Sequence, residues 1–183
     1  MNQLLPFRRV VTGHNAMGRA IIAEAGTPPE IHDLAAVPGT RFYEIWNTGQ
    51  SPVPINNQPD PTRRPLRLTP DPEGSVMRVV DIPPDHLHRN LSAEDAASAF
   101  AAIGQADAHS TGSQRHKLMH RTATVDYGIV VAGEVWLVLD EDEICLRAGD
   151  IVIQRGTNHA WSNRTSEMAR MVFVLLDGRY DLD

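Results

Sequence analysis

The sequence predicts an all-β fold, a sandwich or barrel of short strands with one inserted helix. Short apolar runs recur about every ten residues in the second half of the chain, and turn-forming residues separate them. The 13 glycines and 13 prolines lie between these runs instead of gathering in one linker. A chain of 183 residues is also about the size of one domain. We therefore expect a single turn-rich β domain.

The first 74 residues predict an extension made of strands and irregular chain. Residues 8–13 and 19–24 flank a turn that contains glycine and asparagine, which is typical of a β-hairpin. Residues 41–46 alternate polar and bulky side chains and predict a third strand. Seven prolines follow within residues 51–74 and favour extended, irregular chain, because proline has no backbone donor. We expect residues 1–74 to pack on the barrel or on a dimer partner.

One segment has helical features. Residues 91–104 are rich in alanine, and Ser92 with Asp95 three positions later has the spacing of a capping box. Gly104 suits the end of a helix. We expect a short helix between two strands, either as a lid over the barrel mouth or packed on the barrel or a dimer contact.

Residues 75–183 carry the strongest strand pattern. An apolar run at residues 75–82 is stopped by Pro83 and Pro84. From Asp126 onward apolar runs alternate with turns, and strands are predicted at residues 127–131, 135–139, 144–146, 151–153 and 169–176. We expect residues 75–183 to form the barrel itself.

Composition excludes several classes of protein. Seventeen Lys and Arg against 23 Asp and Glu give a net charge of -6, which disfavours a binder of nucleic-acid phosphates. No apolar stretch approaches the roughly 18 residues of a membrane span, and the first apolar run is too short for a signal peptide. The single cysteine, Cys145, cannot form an intramolecular disulfide, which fits a reducing compartment. We therefore expect a cytoplasmic protein without nucleic-acid or membrane partners.

Two segments resemble the conserved motifs of the cupin superfamily. Residues 120–134 read HRTATVDYGIVVAGE, and residues 149–163 read GDIVIQRGTNHAWSN. His120 takes the place of the first motif's first histidine, Asp126 that of its glutamate and Gly133 that of its glycine. The matching positions of the second motif are Gly149, Gly156, His159 and Asn163. The resemblance covers roughly the C-terminal third, and it implies the double-stranded β-helix, or jelly-roll barrel, of that superfamily.

The departures from the cupin pattern bear on metal binding. Thr122 stands where a second histidine is expected, Asp126 is one methylene shorter than glutamate, and Gln154 stands at a proline position. Most cupins hold a divalent metal with three histidines and a glutamate. The resemblance therefore implies a ligand set of His120, Asp126 and His159 for iron, zinc, manganese or nickel. Two imidazoles and one carboxylate are also the ligands of non-haem iron sites that keep open positions.

Strand parity places the same residues together. In an extended segment the even-numbered residues from His120 to Asp126 project to one face, and His159 shares a face with Trp161. We expect His120 and His159 to be the catalytic groups. The side chains expected to contact a small-molecule substrate are Thr122, Gln154 and Trp161.

A barrel without metal is the alternative interpretation of these residues. His120 and His159 are then polar groups of the pocket that bind or protonate a ligand, and Asp126 is a hydrogen-bonding carboxylate at a strand end. His86 and His88 also form a His-x-His pair. Because they follow two prolines and precede a helix, we expect them in a solvated loop.

Three functions stay open at this point. The two motif segments resemble a subgroup of small single-domain cupins of bacteria and fungi, some of which act in polyketide and other secondary-metabolite pathways in a proposed dehydratase-like role. The resemblance favours a metal-dependent lyase or dehydratase acting on a hydroxylated carbonyl or aromatic, polyketide-like compound. A non-haem iron dioxygenase and a ligand-binding module without turnover are the alternatives. Small cupins are often homodimers, so a homodimer is expected as well.

Overall fold

A computed structural model describes residues 4–105, residue 108 and residues 115–182 of the chain. This part contains eleven β-strands, one α-helix and one turn of 3₁₀-helix. The strands are β1 Arg9–His14, β2 Ala20–Gly26, β3 Glu30–Asp33, β4 Arg41–Thr48, β5 Ser75–Ile82, β6 Thr124–Ala132, β7 Glu134–Leu139, β8 Glu143–Arg147, β9 Ile151–Arg155, β10 His159–Ser162 and β11 Ala169–Asp177. The 3₁₀-helix is Asp85–His88, and the α-helix, α1, is Ala93–Ala102.

Two antiparallel sheets form the barrel. The larger has six strands in the order β3-β4-β5-β11-β6-β9, and the smaller has three in the order β10-β7-β8. One apolar core takes Val80, Met171 and Phe173 from the larger sheet and Val135 and Leu137 from the smaller. The two sheets therefore face each other across this core, and the all-β prediction is confirmed.

The amino-terminal strands belong partly to the larger sheet. β1 and β2 form the predicted hairpin as a separate two-stranded sheet, whereas β3 and β4 extend the larger sheet beyond β5. The boundary predicted between residues 74 and 75 thus lies between two strands that are neighbours in one sheet. The strand predictions miss β3 and β10, because each is only four residues long and carries polar residues at its ends.

The proline-rich segment packs along the barrel without forming regular structure. Residues 49–74, all of which the structure describes, contain no helix or strand. Leu66 packs against the main core, and the backbone N–H of Leu68 donates to the carbonyl of Ile103 at 2.9 Å, just after α1. This segment therefore links the barrel to the inserted helix.

The inserted helix begins with the predicted capping box. The Ser92 hydroxyl accepts a hydrogen bond from the Asp95 backbone N–H, and the Asp95 carboxylate accepts one from the Ser92 N–H, both at 3.0 Å. Gly104 follows the helix with a φ of 73°, a conformation that glycine adopts without strain. The helix buries Ala99 and Phe100. In the described part of the chain no helix is long and apolar enough to cross a membrane.

The sequence predicts a solvated loop for the His86–His88 pair. In the structure the pair lies in the 3₁₀-turn instead. His86 is exposed. The His88 side chain is only 8% exposed, and its Nε2 lies 3.7 Å from Oδ1 of Asp85. Asp85 in turn accepts hydrogen bonds from the Ser162 hydroxyl at 2.6 Å and the Asn163 backbone N–H at 3.0 Å. These contacts hold the turn against β10, which explains the burial of His88.

Candidate functional site

The barrel encloses a cavity of about 130 Å³ bounded by both sheets and α1. Its apolar lining includes Phe42, Val80, Ile82, Phe100, Trp161 and Phe173. The polar side chains of the lining are Thr40, Arg78, His120, Thr122, Asp126 and His159. A few polar groups that converge in an apolar cavity are typical of a small-molecule site.

The two predicted catalytic histidines lie side by side. A pair of backbone hydrogen bonds joins them: His120 N donates to His159 O at 2.8 Å, and His159 N donates to His120 O at 2.9 Å. Their ring centroids are 4.2 Å apart, and the ring planes are inclined by 47°. Both imidazoles line the cavity, so the chain places two titratable rings against one ligand volume.

The Nδ1 atom of each imidazole contacts the backbone carbonyl of the residue two positions earlier in the sequence. His120 Nδ1 lies 3.0 Å from the carbonyl oxygen of Leu118, and His159 Nδ1 lies 2.9 Å from that of Thr157. A carbonyl oxygen only accepts hydrogen bonds, so these contacts favour the tautomer with the proton on Nδ1, whereas the Gln154 amide nitrogen beside His159 Nδ1 is a donor and favours the proton on Nε2 of that ring. In the Nδ1-protonated form the second ring nitrogen, Nε2, keeps its lone pair. This hydrogen bond to a backbone carbonyl is one way proteins orient histidines for catalysis or metal binding.

The environment of His159 and Asp126 changes their proton affinity. Burial lowers the pKa of His159 well below its usual value, and the neighbouring His120 lowers it further. Burial raises the pKa of Asp126 to about 6, and the opposing effects of the Thr124 hydroxyl and the Arg78 charge are smaller. His159 is therefore neutral at neutral pH, and Asp126 titrates near neutrality.

An uninterrupted row of rings crosses the cavity. Phe100 of α1 lies 4.9 Å from His120, His159 lies 5.5 Å from Trp161, and Trp161 lies 5.3 Å from Phe173, all between ring centroids. The Trp161 and His159 rings meet edge to face, an arrangement that aromatic pairs prefer. The row gives the cavity flat apolar walls, which suit an unsaturated or ring-shaped ligand.

Most of the predicted site residues lie in the cavity lining. The positions predicted to share the inner faces and found in the cavity lining are His120, Thr122, Asp126, His159 and Trp161. Gln154 is buried, 3% exposed, but its side chain lies behind His159 and not in the lining. Its amide contacts His159 Nδ1 and donates to the Thr157 carbonyl at 2.8 Å. This placement fits a residue that orients His159 better than one that touches a substrate.

Arg78 and Phe100 are among the lining residues that sequence reasoning does not assign to the site. Arg78 is 1% exposed and points into the barrel with Val76 and Val80. Its parity with these two apolar residues is the signal that could have revealed it. Phe100 is the one aromatic residue of the alanine-rich helix, and its burial shows which face of α1 meets the barrel.

Comparison with known proteins agrees with this architecture. The family model of the Cupin_2 cupin domain matches residues 107–175. The phomopsin biosynthesis cluster protein C' of Diaporthe leptostromiformis is 34% identical over 178 residues, which cover 93% of this chain and 78% of that protein. The cupin-domain-containing oxidoreductase virC of Hypocrea virens is 29% identical over 178 residues, covering 92% of this chain and 75% of virC.

The chain belongs to the cupin family. A cupin 2 conserved barrel protein from Salinispora arenicola is a structural neighbour with a TM-score of 0.39 and 18% identity, covering 81% of this chain and 88% of its own. The jelly-roll prediction is confirmed for this cupin, which has two facing sheets and one short α-helix in the part of the chain that the structure describes.

The cupin family commonly binds divalent metals, and the residues of this cupin meet that expectation only in part. The donor chemistry is suitable, since His159 presents a basic nitrogen and Asp126 Oδ1 is buried with no hydrogen-bond partner among the described residues. However, within residues 4–105, 108 and 115–182 no three His, Cys, Asp or Glu side chains are placed to hold a metal ion. As positioned, His120, Asp126 and His159 do not form a metal centre, and the ligand assignment stays a prediction.

Proposed function

We propose that this cupin is an enzyme of the lyase or dehydratase type that acts on a small hydroxylated carbonyl compound inside the barrel. The observation that carries the proposal is the His120–His159 pair, whose rings lie 4.2 Å apart in the lining of an apolar cavity. Two imidazoles held by their Nδ1 atoms against the chain present a preorganised site for moving a proton.

His159 is the base in this proposal. Its Nε2 removes the proton next to the substrate carbonyl, so that the C–H bond breaks and an enolate forms. The enolate electrons then form a C=C bond as the β-hydroxyl leaves, and the carboxyl group of Asp126 supplies the proton that turns this group into water. Proton transfer from the His159 imidazolium back to Asp126 restores both groups, so no oxidant or reductant is consumed.

The surroundings of the site support this chemistry. The largely apolar lining lowers the local dielectric constant, which strengthens each electrostatic contact made to the reacting atoms. The raised pKa of Asp126, about 6, leaves a useful share of that carboxyl group protonated near neutral pH. The neutral state of His159 is the state that accepts a proton, and the burial that keeps it neutral also makes it a weaker base.

The names of the relatives support action on a small molecule and favour one other reaction. One relative is a phomopsin biosynthesis cluster protein, and virC is named an oxidoreductase. Oxidation by a non-haem iron centre is therefore the second candidate, with His120, Asp126 and His159 as its ligands. If neither activity is found, a binding module without turnover is the remaining interpretation.

One set of measurements separates these candidates. The purified protein is incubated with 3-hydroxycyclohexanone, and formation of cyclohexenone is followed by its absorbance. Elimination that is lost in His159→Gln but kept in His86→Gln supports the proposal, because His86 is exposed and outside the cavity. Oxygen consumption together with stoichiometric bound iron supports the second candidate instead. If the protein shows neither elimination nor oxygen consumption but still binds ligand, both enzymatic candidates are contradicted.

We also propose that the chain forms a homodimer through the outer face of β6 and β9. Tyr127 pairs with Ile153 and Ile129 with Ile151 across these strands. Tyr127, Ile151 and Ile153 are 41%, 67% and 53% exposed. Contiguous apolar surface of this kind is uncommon on monomers and supports burial against a second copy. Analytical ultracentrifugation tests it, and a monomer at micromolar concentration contradicts it.

A further inference from the structure

Arg78 is a buried arginine in the cavity lining that the reaction proposed above does not use. It lies in β5, is 1% exposed, and shares a strand face with Val76 and Val80. Burying a guanidinium is costly unless its charge and its N–H groups find partners. The distribution of those partners therefore indicates which part of the side chain is left for a ligand.

The described residues contact the guanidinium mainly through two of its nitrogens, Nη2 and Nε. Nη2 donates to the carbonyl oxygen of Arg67 at 2.6 Å and lies 3.4 Å from Glu44 Oε2, while Nε lies 3.0 Å from Glu44 Oε1. The Phe42 ring centroid is 5.8 Å from Cζ and supports the group from its face. Nη1 and Nε are both buried without a hydrogen bond among the residues that the structure describes, but Nε faces the Glu44 carboxylate whereas Nη1 has no charged partner within salt-bridge distance. A donor left without a partner costs stability, so a ligand that accepts from Nη1 gains the full hydrogen bond.

The negative charge of Glu44 determines whether a neutral or a charged oxygen is the better acceptor for Arg78 Nη1. The Glu44 and Arg78 side chains are 4% and 2% exposed, and together they form a buried ion pair without net charge. A carboxylate ligand would add a further negative charge near Glu44 and Asp126 in a medium of low dielectric constant. A neutral carbonyl oxygen satisfies the N–H without adding charge.

The cavity volume limits the size of the ligand. A protein cavity of roughly 150 Å³ holds one benzene molecule, and the cavity here measures about 130 Å³. The flat walls made by Phe100 and Trp161 fit a planar ring. A ligand built on one six-membered ring therefore suits this volume.

We propose that Arg78 Nη1 binds the carbonyl oxygen of a monocyclic substrate and is a catalytic residue of this cupin. The inference rests on the proposed function for the reaction itself. When the proton beside the carbonyl passes to His159, the C–H electrons move into the enolate and negative charge gathers on the oxygen. A hydrogen bond from a cationic guanidinium then strengthens, as in an oxyanion hole.

Three ring compounds that are not turned over test the binding step. Acetophenone carries a carbonyl group, α-methylstyrene has the same shape with a methylene in place of the oxygen, and benzoate carries a charged carboxylate. Dissociation constants come from NMR titration of the full-length protein. We expect acetophenone to bind at least about tenfold more tightly than α-methylstyrene, the factor given by one hydrogen bond to a charged donor. Benzoate is expected to bind more weakly than acetophenone.

Two variants connect the preference to Arg78. Removing Arg78 alone leaves the buried Glu44 carboxylate without its partner. Arg78→Met is therefore combined with Glu44→Gln, so that both charges of the pair are removed. We expect the acetophenone preference to fall to about one in this double variant. Glu44→Gln alone keeps the donor and removes the neutralising charge. In that variant the preference for acetophenone over α-methylstyrene persists, and benzoate binds more tightly than it does to the unaltered protein.

The carbonyl carbon of bound acetophenone gives a second readout that needs no variant. Its ¹³C resonance moves downfield when a strong donor polarises the carbonyl, and we expect this shift on binding to the unaltered protein. Three results overturn the assignment: an acetophenone preference near one in the unaltered protein, an acetophenone preference that persists in the double variant, or the absence of the downfield shift. These probes involve no turnover. Loss of catalysis with an intact acetophenone preference therefore counts against the proposed reaction and leaves the Arg78 contact standing.

Discussion

His120 and His159 are far apart in the sequence, yet two backbone hydrogen bonds join them and their imidazoles lie 4.2 Å apart inside the barrel. The bridge sets the backbone of each histidine, and the carbonyls of Leu118 and Thr157 set the ring nitrogens. Because both constraints come from the chain itself, the pair is organised before any ligand arrives. Such preorganisation is the property that proton transfer in an enclosed site requires.

Replacement of Phe100 by alanine is expected to enlarge the cavity at the cost of stability. Phe100 is 7% exposed and packs with Leu68 and Ile103, so its loss lowers the free energy of unfolding by about 3 kcal/mol. The variant should bind 2-acetylnaphthalene more tightly than the unaltered protein does. Phe7→Ala is the matched control, because Phe7 packs on Tyr43 and does not line the cavity. Equal binding of the larger probe by both variants would contradict this role of Phe100.

Asp85 is expected to make stability depend on pH. Burial alone would raise the pKa of Asp85, but the His116 and His88 imidazoles and the Ser162 hydroxyl outweigh it and hold this pKa well below its ordinary value. A depressed pKa stabilises the fold above the unfolded-state value of about 4, and this contribution is lost as the pH falls below it. Asp85→Asn should therefore reduce stability at pH 7 by about 2 kcal/mol, the scale of hydrogen bonds to a charged group.

Urea unfolding at pH 7 and pH 3 measures that difference. The stability gap between the unaltered protein and Asp85→Asn should shrink at the lower pH, where the unfolded carboxylate has taken up its proton. Glu94→Gln, on the exposed side of α1, controls for the loss of one negative charge. A gap that stays constant between the two pH values argues against an ionised Asp85 anchoring the 3₁₀-turn.

Ile153→Glu is expected to dissociate the proposed homodimer. Ile153 is 53% exposed on the outer face of β9, so the substitution costs little in an isolated chain and places a charge in the interface. Sedimentation should show a shift to monomer by at least tenfold in the dissociation constant. Ile55→Glu, at a position 92% exposed in the proline-rich segment, serves as the control. The dimer hypothesis fails if both variants sediment like the unaltered protein.

The sequence predicts most of the barrel and part of the site, and the reasons are physical. Shared parity along residues 120–126 predicts that His120, Thr122 and Asp126 face inward, but β6 begins only at Thr124, and Thr124 itself does not line the cavity. Arg78 escapes this reasoning. A charged residue inside a barrel depends on Glu44, its cross-strand partner in β4, and the pairing of those strands becomes visible only in the folded sheet. Positions of His120 and Asp126 relative to one another are likewise set by the sheets, which is why motif spacing alone does not settle a metal centre.

The most direct test of the central claim is proton exchange next to a carbonyl. Cyclohexanone is incubated with the protein in deuterium oxide, and NMR follows the loss of its α-protons. The account predicts exchange above the buffer rate that falls by at least a hundredfold in His159→Gln, the lower range for a general base, and stays unchanged in His86→Gln. Exchange at the buffer rate with the unaltered protein, or full exchange in His159→Gln with native-like folding, would contradict it.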